Sequence, residues 1–414
     1  DDENMRAWLA ERPRTVYAGF DPTADSLHVG HLMALMILRR FQKAGHRPIA
    51  LVGGATGMIG DPSGKSEERV LLSEESLSAN IAGMEQHIRR LLDFDCGDRS
   101  ALVLNNYDWM GKFGYIEFLR EVGKHFPVNV MLTKESVKNR LERTDAGLSY
   151  TEFSYMLLQA YDFVYLNQHF DCEIQVGGSD QWGNITAGID LARRMNALES
   201  KSVQLYGATC PLLTKSDGAK MGKTESGALW LSPEKTSPYQ FYQYWINLDD
   251  ADVGKCLRFF TDLEEAEIEA VLTEHEADQG RRVAQRRLAT ELTRLVHDEE
   301  GLQTATRATE IFFGAEIEDL SDAQLGQIFA DVPSSELARG DLEGEGLGII
   351  DALHAAGLAK SKAEARRTVT QGGAYVNNRR VTDIETRLTT ENLASQTVMV
   401  LRSGKKRYAL LRFV

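Results

Sequence analysis

Two histidines lie three residues apart, His28 and His31, just after a short candidate strand, Thr15–Phe20, and the turn Asp21-Pro22-Thr23. Proline ends the strand because it fixes φ and has no N–H for a ladder. Asp25 or Ser26 is placed to cap a helix whose apolar face runs through Leu32, Leu35, Met36 and Leu38. The three-residue spacing puts both imidazoles on one face of the first turn. Gly30 between them removes a side chain where a flat ligand could approach the backbone. Ring N–H donors at the positive end of a helix suit a phosphate. Two satisfied structural histidines and zinc are the alternatives; for zinc no Cys or third His lies nearby and the His-Glu-x-x-His pattern is absent, so no protein-held metal is expected.

Other chemistry-bearing segments are spread along the chain. Gly53 to Ser66 is a glycine-rich loop ending Gly64-Lys65-Ser66, but Ile59 stands where a Walker loop needs glycine. On a predicted helix over 148–163, Tyr155, Gln159 and Asp162 fall at i, i+4 and i+7 and so form a polar stripe among Phe153, Met156, Leu157 and Leu158. Such a stripe faces solvent or must find partners or a ligand. Gly177 to Asn184 puts small residues, Asp180 and Gln181 after a candidate strand over 172–176. Lys215 to Thr224 is polar, glycine-bearing and rich in lysine, as a mobile loop closing on a polyphosphate would be; solvated surface is the plainer alternative.

The elements needed to position these groups alternate. A strand (15–20), a helix, an apolar strand (49–52), the glycine loop, a strand (103–106), the 148–163 helix and the 172–176 strand with a helix over 185–195 predict a doubly wound, Rossmann-like α/β domain over residues 1–230. Residues 231–330 read as helical and 331–345 as an acidic linker. Residues 346–414 read as a small α+β module, with helices over 347–356 and 362–370 and short strands around Asn377-Asn378. The stretch 113–138 reads as a surface helix or a subunit interface, with Phe113, Tyr115, Ile116 and Phe118 forming an apolar patch.

The net charge of −14 by itself argues against a nucleic-acid partner. Its distribution points the other way: residues 346–414 hold twelve Lys or Arg against five Asp or Glu, a basic module on an acidic body. Lys360, Lys362, Arg366 and Arg367 gather around one helix start and Arg379 and Arg380 flank a turn, all candidate RNA contacts. Four widely spaced cysteines, no apolar run of membrane length and no signal-peptide pattern lead to the expectation of a cytoplasmic protein with no membrane partner.

His28-Val-Gly-His31 resembles the His-Ile-Gly-His signature of class I aminoacyl-tRNA synthetases. Residues 17–32, 53–65, 149–163, 177–184 and 220–224 together look like bacterial tyrosyl-tRNA synthetases, in that family's order. The tail resembles the ribosomal-protein-like alpha-L RNA-binding motif. One departure is Lys220-Met-Gly-Lys-Thr224, where the wider signature is Lys-Met-Ser-Lys-Ser. The resemblance implies a homodimeric tyrosine–tRNA ligase. It would use ATP with Mg2+ to make tyrosyl-adenylate and pyrophosphate, then pass the tyrosyl group to the 3′ end of tRNA(Tyr).

The resemblance also implies roles. Tyr17 and Asp162 would pair the phenol. Asp61, Tyr155 and Gln159 would hold the ammonium, with Gly19, Asp21 and Gln181 completing the tyrosine site. His28, Gly30, His31, Gly178, Asp180, Met221 and Lys223 would hold ATP. His28, His31, Thr23, Lys65, Arg69, Lys220, Lys223 and Thr224 would stabilise the transition state. Tyrosine's carboxylate is already ionised near neutral pH, so the first step needs charge stabilisation rather than a base. A site that pairs the phenol rejects phenylalanine by about 10⁴–10⁵, a figure for which tyrosyl-tRNA synthetases are themselves the standard example. The rival expectations are a tryptophanyl-type relative lacking the Tyr17–Asp162 pair, a nucleotidylyltransferase, and a non-catalytic RNA-binding protein of the same fold.

Overall fold

The computed structural model describes residues 2–62, 73–134, 137–138, 141, 148–198, 204–224, 227–318, 320–330 and 332–414. Lys65 and Arg69 lie outside them, and of Thr224 only the backbone is described. The chain forms two compact units, one of residues 1–232 and 249–277, the other of 233–248 and 278–414.

The first unit is built on a five-stranded parallel sheet of β1 (Thr15–Phe20), β2 (Arg47–Val52), β3 (Leu102–Asn105), β4 (Cys172–Gly178) and β5 (Tyr206–Cys210). The spatial order is β3-β2-β1-β4-β5, and every pairing is parallel. Val16, Tyr17, Ala18 and Phe20 of β1 are all buried, although alternate residues face opposite sides of the sheet. That continuous burial is what helices on both faces produce. The order reverses between β1 and β4, so their carboxyl ends open on the crevice where doubly wound sheets take ligands.

Three helices frame that crevice. α1 (Val29–Lys43) buries Leu32, Met33, Leu35, Met36 and Leu38. Its cap is His28, not the expected Asp25 or Ser26: the His28 side chain accepts from Gly30 N–H and the His31 side chain accepts from His28 N–H, a capping box made of two imidazoles. α2 (Tyr150–Phe170) is capped by Ser149, whose side chain accepts from Glu152 N–H, and runs beyond the expected end at 163. α3 (Trp182–Leu198) follows β4.

The expected helix over 113–138 is broken in its described part. It forms Tyr115–Glu121, a 3-10 turn at Gly123–His125 and Val128–Met131. Pro127, at φ −65° just before the last piece, cannot donate within a continuing helix.

Residues 249–277, expected in the helical region, cluster with the first unit, whose leading segment ends at residue 232. The helices Asp250–Phe260 and Glu265–Ala277 pack with the first unit. There Asp262 pairs with Arg39 and Lys43 at 2.8 Å each, and Asp252 accepts from Ser216 N–H at 3.0 Å.

In the second unit, α4 (Pro238–Ile246) and α5 (Val283–Phe312) pack together, Gln243 Nε2 donating to Thr309 Oγ1 at 2.9 Å. α6 (Asp322–Ile328) leads into a second five-stranded sheet. Its strands are β6 (Ser334–Leu337), β7 (Ala374–Val376), β8 (Arg379–Val381), β9 (Val398–Ser403) and β10 (Arg407–Phe413). β6 falls inside the segment expected to be a linker. It pairs parallel with β10 from Ser334–Leu410 to Leu337–Phe413. Leu342 of the same segment is buried in the core of the last module. Ile311, Leu325, Ile328 and Phe329 share another core with Val398, Tyr408 and Leu410, so the basic module is packed against the end of α5 rather than tethered to it. Apolar side chains at 325, 328 and 329, diluted among acidic neighbours in the sequence, are the reason.

Candidate active site

The cleft at the carboxyl ends of β1 and β4 has a volume of about 500 Å³. It gathers segments more than two hundred residues apart. Tyr17, Gly19, Asp21 and Thr23 come from β1 and its turn, His28, Gly30 and His31 from the start of α1, and Asp61 from the end of the glycine loop. Tyr155, Gln159 and Asp162 come from α2, Gly178, Asp180 and Gln181 from the end of β4, and Lys220, Met221 and Lys223 from the lysine loop.

Asp162 is 2 % exposed. Its Oδ1 accepts from Trp109 Nε1 at 2.8 Å and its Oδ2 from Asn106 Nδ2 at 3.0 Å. Burial pushes its carboxyl up to about 7, against the pull of the two hydrogen bonds, which favour the carboxylate. Tyr17 is equally buried, and its hydroxyl has no partner among the described residues. Burial, and then the charge of Asp162, hold this phenol well above its ordinary range, so it stays protonated.

Asn106 extends the network. Its Nδ2 also donates to Thr56 Oγ1 at 3.0 Å, while its Oδ1 accepts from Ala55 N–H at 2.7 Å. Thr56 Oγ1 donates to Asp21 Oδ1 at 2.8 Å, and Tyr155 donates from its hydroxyl to Asp21 Oδ2 at 2.9 Å. On the other wall Gln181 Nε2 donates to Asp61 Oδ2 at 2.8 Å, and Gln159 Nε2 donates to Gln181 Oε1 at 3.3 Å. Gln159 Oε1 and Gln175 Oε1 are buried with no partner among the described residues. Residues bearing orphaned acceptors, Tyr17 and the carboxyl groups of Asp21, Asp61 and Asp162 line one cavity. That arrangement suits a ligand with a hydroxyl at one end and an ammonium at the other.

The histidine pair forms the second half. The rings of His28 and His31 stack at 4.0 Å with 24° between planes. His28 Nδ1 accepts from Gly30 N–H at 3.0 Å and His31 Nδ1 accepts from His28 N–H at 3.3 Å. Accepting at Nδ1 puts the proton of each neutral ring on Nε2. Gly30 serves this fold-back, since a Cβ there would come within 2.8 Å of His28 Cε1. Gly30 thus makes room for a protein ring while itself lining the cleft.

Opposite, Met221 is buried, with Cys256 Sγ 3.3 Å from its sulfur, which anchors the loop between Lys220 and Lys223. Gly222 has φ +79°, and a Cβ on it would meet Val29 Cβ at 3.1 Å. Glycine in place of the serine of the wider signature therefore has a backbone reason. Burial and the charge of Asp61 raise the carboxyl of Asp180, and Lys220 opposes them.

The expected RNA contacts are placed unevenly. Lys360, Arg366 and Arg367 are exposed. Lys362 pairs with Asp351 at 2.7 Å, Arg379 pairs with both Glu316 and Glu318, and Arg380 Nε donates to Gly372 O at 2.7 Å. Thr56, Asn106, Trp109 and Gln175 belong to the cleft network and were not anticipated. Gln175 had a signal, a lone amide inside the apolar run of β4.

A family model described as class I tRNA synthetases (W and Y) matches residues 9–314, and one described as the tyrosine–tRNA ligase SYY-like C-terminal domain matches residues 324–411. The chain is 60 % identical over 412 residues to the tyrosine–tRNA ligase of Rhodopirellula baltica, covering 100 % of this chain and 92 % of that one. It is 49 % identical over 413 residues to the tyrosine–tRNA ligase of Geobacillus stearothermophilus, covering 100 % and 96 %. Among solved structures, a C-terminally truncated mitochondrial tyrosyl-tRNA synthetase of Aspergillus nidulans aligns with a TM-score of 0.67 at 31 % identity, over 76 % of this chain and 89 % of that one. A Plasmodium falciparum tryptophanyl-tRNA synthetase shares the fold at a TM-score of 0.51, 13 % identity, and 79 % and 83 % coverage. The tryptophanyl relationship thus extends to architecture alone, while whole-chain identity and the C-terminal match decide the substrate class. With its histidine pair, lysine loop and buried aspartate set around one crevice, this chain belongs to the tyrosine–tRNA ligases of class I.

Proposed function

We propose that the cleft carries out tyrosine activation with the following division of labour. Tyr17 and Asp162 take the substrate phenol, the observation that carries this being the buried Tyr17 hydroxyl that lacks a partner among the described residues and feels the charge of Asp162. Leaving both unmatched against phenylalanine is the physical basis of discrimination. Asp61, Tyr155, Gln159 and Asp21 surround the ammonium, and Gly19 leaves the floor open. Gln181 and Asp180 reach the carboxyl and ribose groups, with Gly178 beside them.

The tyrosine carboxylate attacks the α-phosphorus, the bond to the bridging oxygen of the β-phosphate breaks, and pyrophosphate leaves with that electron pair. His28 and His31 offer Nε2–H donors to the phosphates, with Gly30 and Thr23 alongside. Lys220, Lys223 and Thr224 cover the leaving group while Met221 anchors their loop, and Lys65 and Arg69 add charge. Mg2+ arrives with ATP, bound through its phosphates. The 3′-terminal ribose hydroxyl of tRNA(Tyr) then attacks the tyrosyl carbonyl and AMP departs.

Residues 346–414 contact the tRNA backbone through Lys360, Lys362, Arg366, Arg367, Arg379 and Arg380. The enzyme works as a homodimer in the cytoplasm: Tyr115, Ile116 and Val128 are 63 %, 67 % and 58 % exposed, an apolar surface that a second copy would cover.

Pyrophosphate exchange with tyrosine and with phenylalanine tests the assignment. Tyr17→Phe and Asp162→Asn are expected to erode the preference for tyrosine. Wild-type discrimination in both variants would overturn the phenol site.

A further inference from the structure

Outside the cleft, a ladder of three rings ends on Asp162. Trp109, whose N–H donates to Asp162 Oδ1, stacks on Tyr165 with centroids 4.3 Å apart and 15° between planes. Tyr165 in turn stacks on His169 at 4.0 Å and 18°. His169 Nδ1 lies 3.0 Å from Tyr165 O, and since a carbonyl only accepts, that nitrogen carries the proton. The ladder therefore has a fixed outer end.

The geometry follows from α2. Asp162, Tyr165 and His169 stand at i, i+3 and i+7 and share one face of the helix. One helix thus carries both the carboxylate and the ring that orients its donor. Trp109 sits on a four-residue helical turn, Tyr107–Met110, that has no side-chain cap, and packs in the core beside Tyr165. None of these three rings lines the cleft. Their hydrogen-bonded link to the cleft runs through Asp162.

We propose that Tyr165 and His169 are positioning residues for amino-acid selection: they clamp the Trp109 indole so that its N–H stays on Asp162 Oδ1 and the carboxylate faces the substrate hydroxyl. This rests on Asp162 as the phenol acceptor, and the test separates the two. A slack indole frees Asp162 to rotate. The hydroxyl of tyrosine then loses its fixed partner, whereas phenylalanine, which has no hydroxyl, loses nothing.

Pyrophosphate exchange with both amino acids is measured on the full chain carrying Tyr165→Leu, Tyr165→Phe, His169→Ala, Trp109→Phe, the Tyr165→Leu/Trp109→Phe pair and Asp162→Asn. Tyr165→Leu is expected to lower the kcat/KM ratio of tyrosine over phenylalanine about two- to tenfold, through a higher KM for tyrosine at unchanged KM for ATP. Tyr165→Phe keeps the ring and the wild-type ratio. Trp109→Phe lowers the ratio about tenfold, and adding Tyr165→Leu to it lowers it no further, because the donor is already gone. His169→Ala, at an exposed position, gives a smaller loss in the same direction and serves if Tyr165→Leu does not fold.

Equal loss of rate with both amino acids would mean a structural role only and would overturn the proposal. So would an unchanged ratio in folded Tyr165→Leu and in His169→Ala. If Asp162→Asn collapses the ratio while the ring variants do not, the clamp alone is wrong. If Asp162→Asn leaves the ratio intact, the phenol assignment falls and the clamp with it.

Discussion

Asn106 and Asp162, 56 positions apart in the chain, meet at 3.0 Å with the amide donating to the carboxylate. The same amide nitrogen reaches Thr56, which donates to Asp21, so one side chain links two carboxyl groups that line the cleft. Asn106 is 1 % exposed, and Asn106→Ala would leave a buried carboxylate short of a donor. We expect it to cost about 1–3 kcal/mol in urea unfolding and to raise the KM for tyrosine.

Asp162 also sets a pH dependence. Its folded-state value of about 7 lies above that of a solvated aspartate, so between roughly pH 4 and 7 the folded protein holds a proton that the unfolded chain has lost. Stability from this group is full below the unfolded value, falls as pH rises through that window and is gone above it. Asp162→Asn removes the titration. Urea unfolding of variant and wild type at pH 5 and pH 8 should show the variant gaining on the wild type at the higher pH; a constant difference would contradict the buried carboxyl.

His28 has two separable duties. Its Nδ1 caps α1, which leaves the proton of the neutral ring on Nε2, and the residue lines the cleft. Asparagine can accept from the same backbone N–H, so His28→Asn should keep stability, whereas His28→Ala should lose about 0.5–2 kcal/mol. Both should slow single-turnover adenylate formation. Thermal melts set beside rapid-quench rates check the split.

Gly222 occupies a left-handed φ of +79° with Val29 close by. Gly222→Ser restores the hydroxyl of the wider signature at a backbone cost of about 1–2 kcal/mol. We expect slower adenylate formation and a higher KM for ATP, with tyrosine affinity by fluorescence titration unchanged.

The basic module offers a graded test. Arg366→Glu and Arg367→Glu act on exposed side chains and should weaken tRNA binding, each flattening the slope of log affinity against log salt by about 1. Arg379 is already matched by Glu316 and Glu318, so Arg379→Gln should change the slope less. Pyrophosphate exchange should stay at wild-type level in all three. Deleting residues beyond 345 is a harsher change, because it strips β6 of its partner strand and uncovers Ile328 and Phe329.

Local rules carried much of the first unit. β1 was legible to the residue, because a β-rich run stops at Asp21-Pro22, and the three-residue spacing of His28 and His31 was enough to predict rings on one face. The helix over 362–370 and the turn at Asn377-Asn378, with φ of 49° and 65°, were equally local, being set by a serine cap and by residues that tolerate a left-handed backbone.

What tertiary structure decided is of another kind. The cap of α1 went to His28, whose side chain accepts from Gly30 N–H, while Ser26 Oγ donates to Leu27 O and accepts from Ser232 N–H. β6 escaped notice because a strand's partner need not be near it in sequence: Ser334–Leu337 finds its ladder on residues 410–413. Asn106 and Trp109 became part of the site only when β3 brought them beside α2. Hydrogen bonds between residues more than fifty positions apart leave no period and no spacing in the chain.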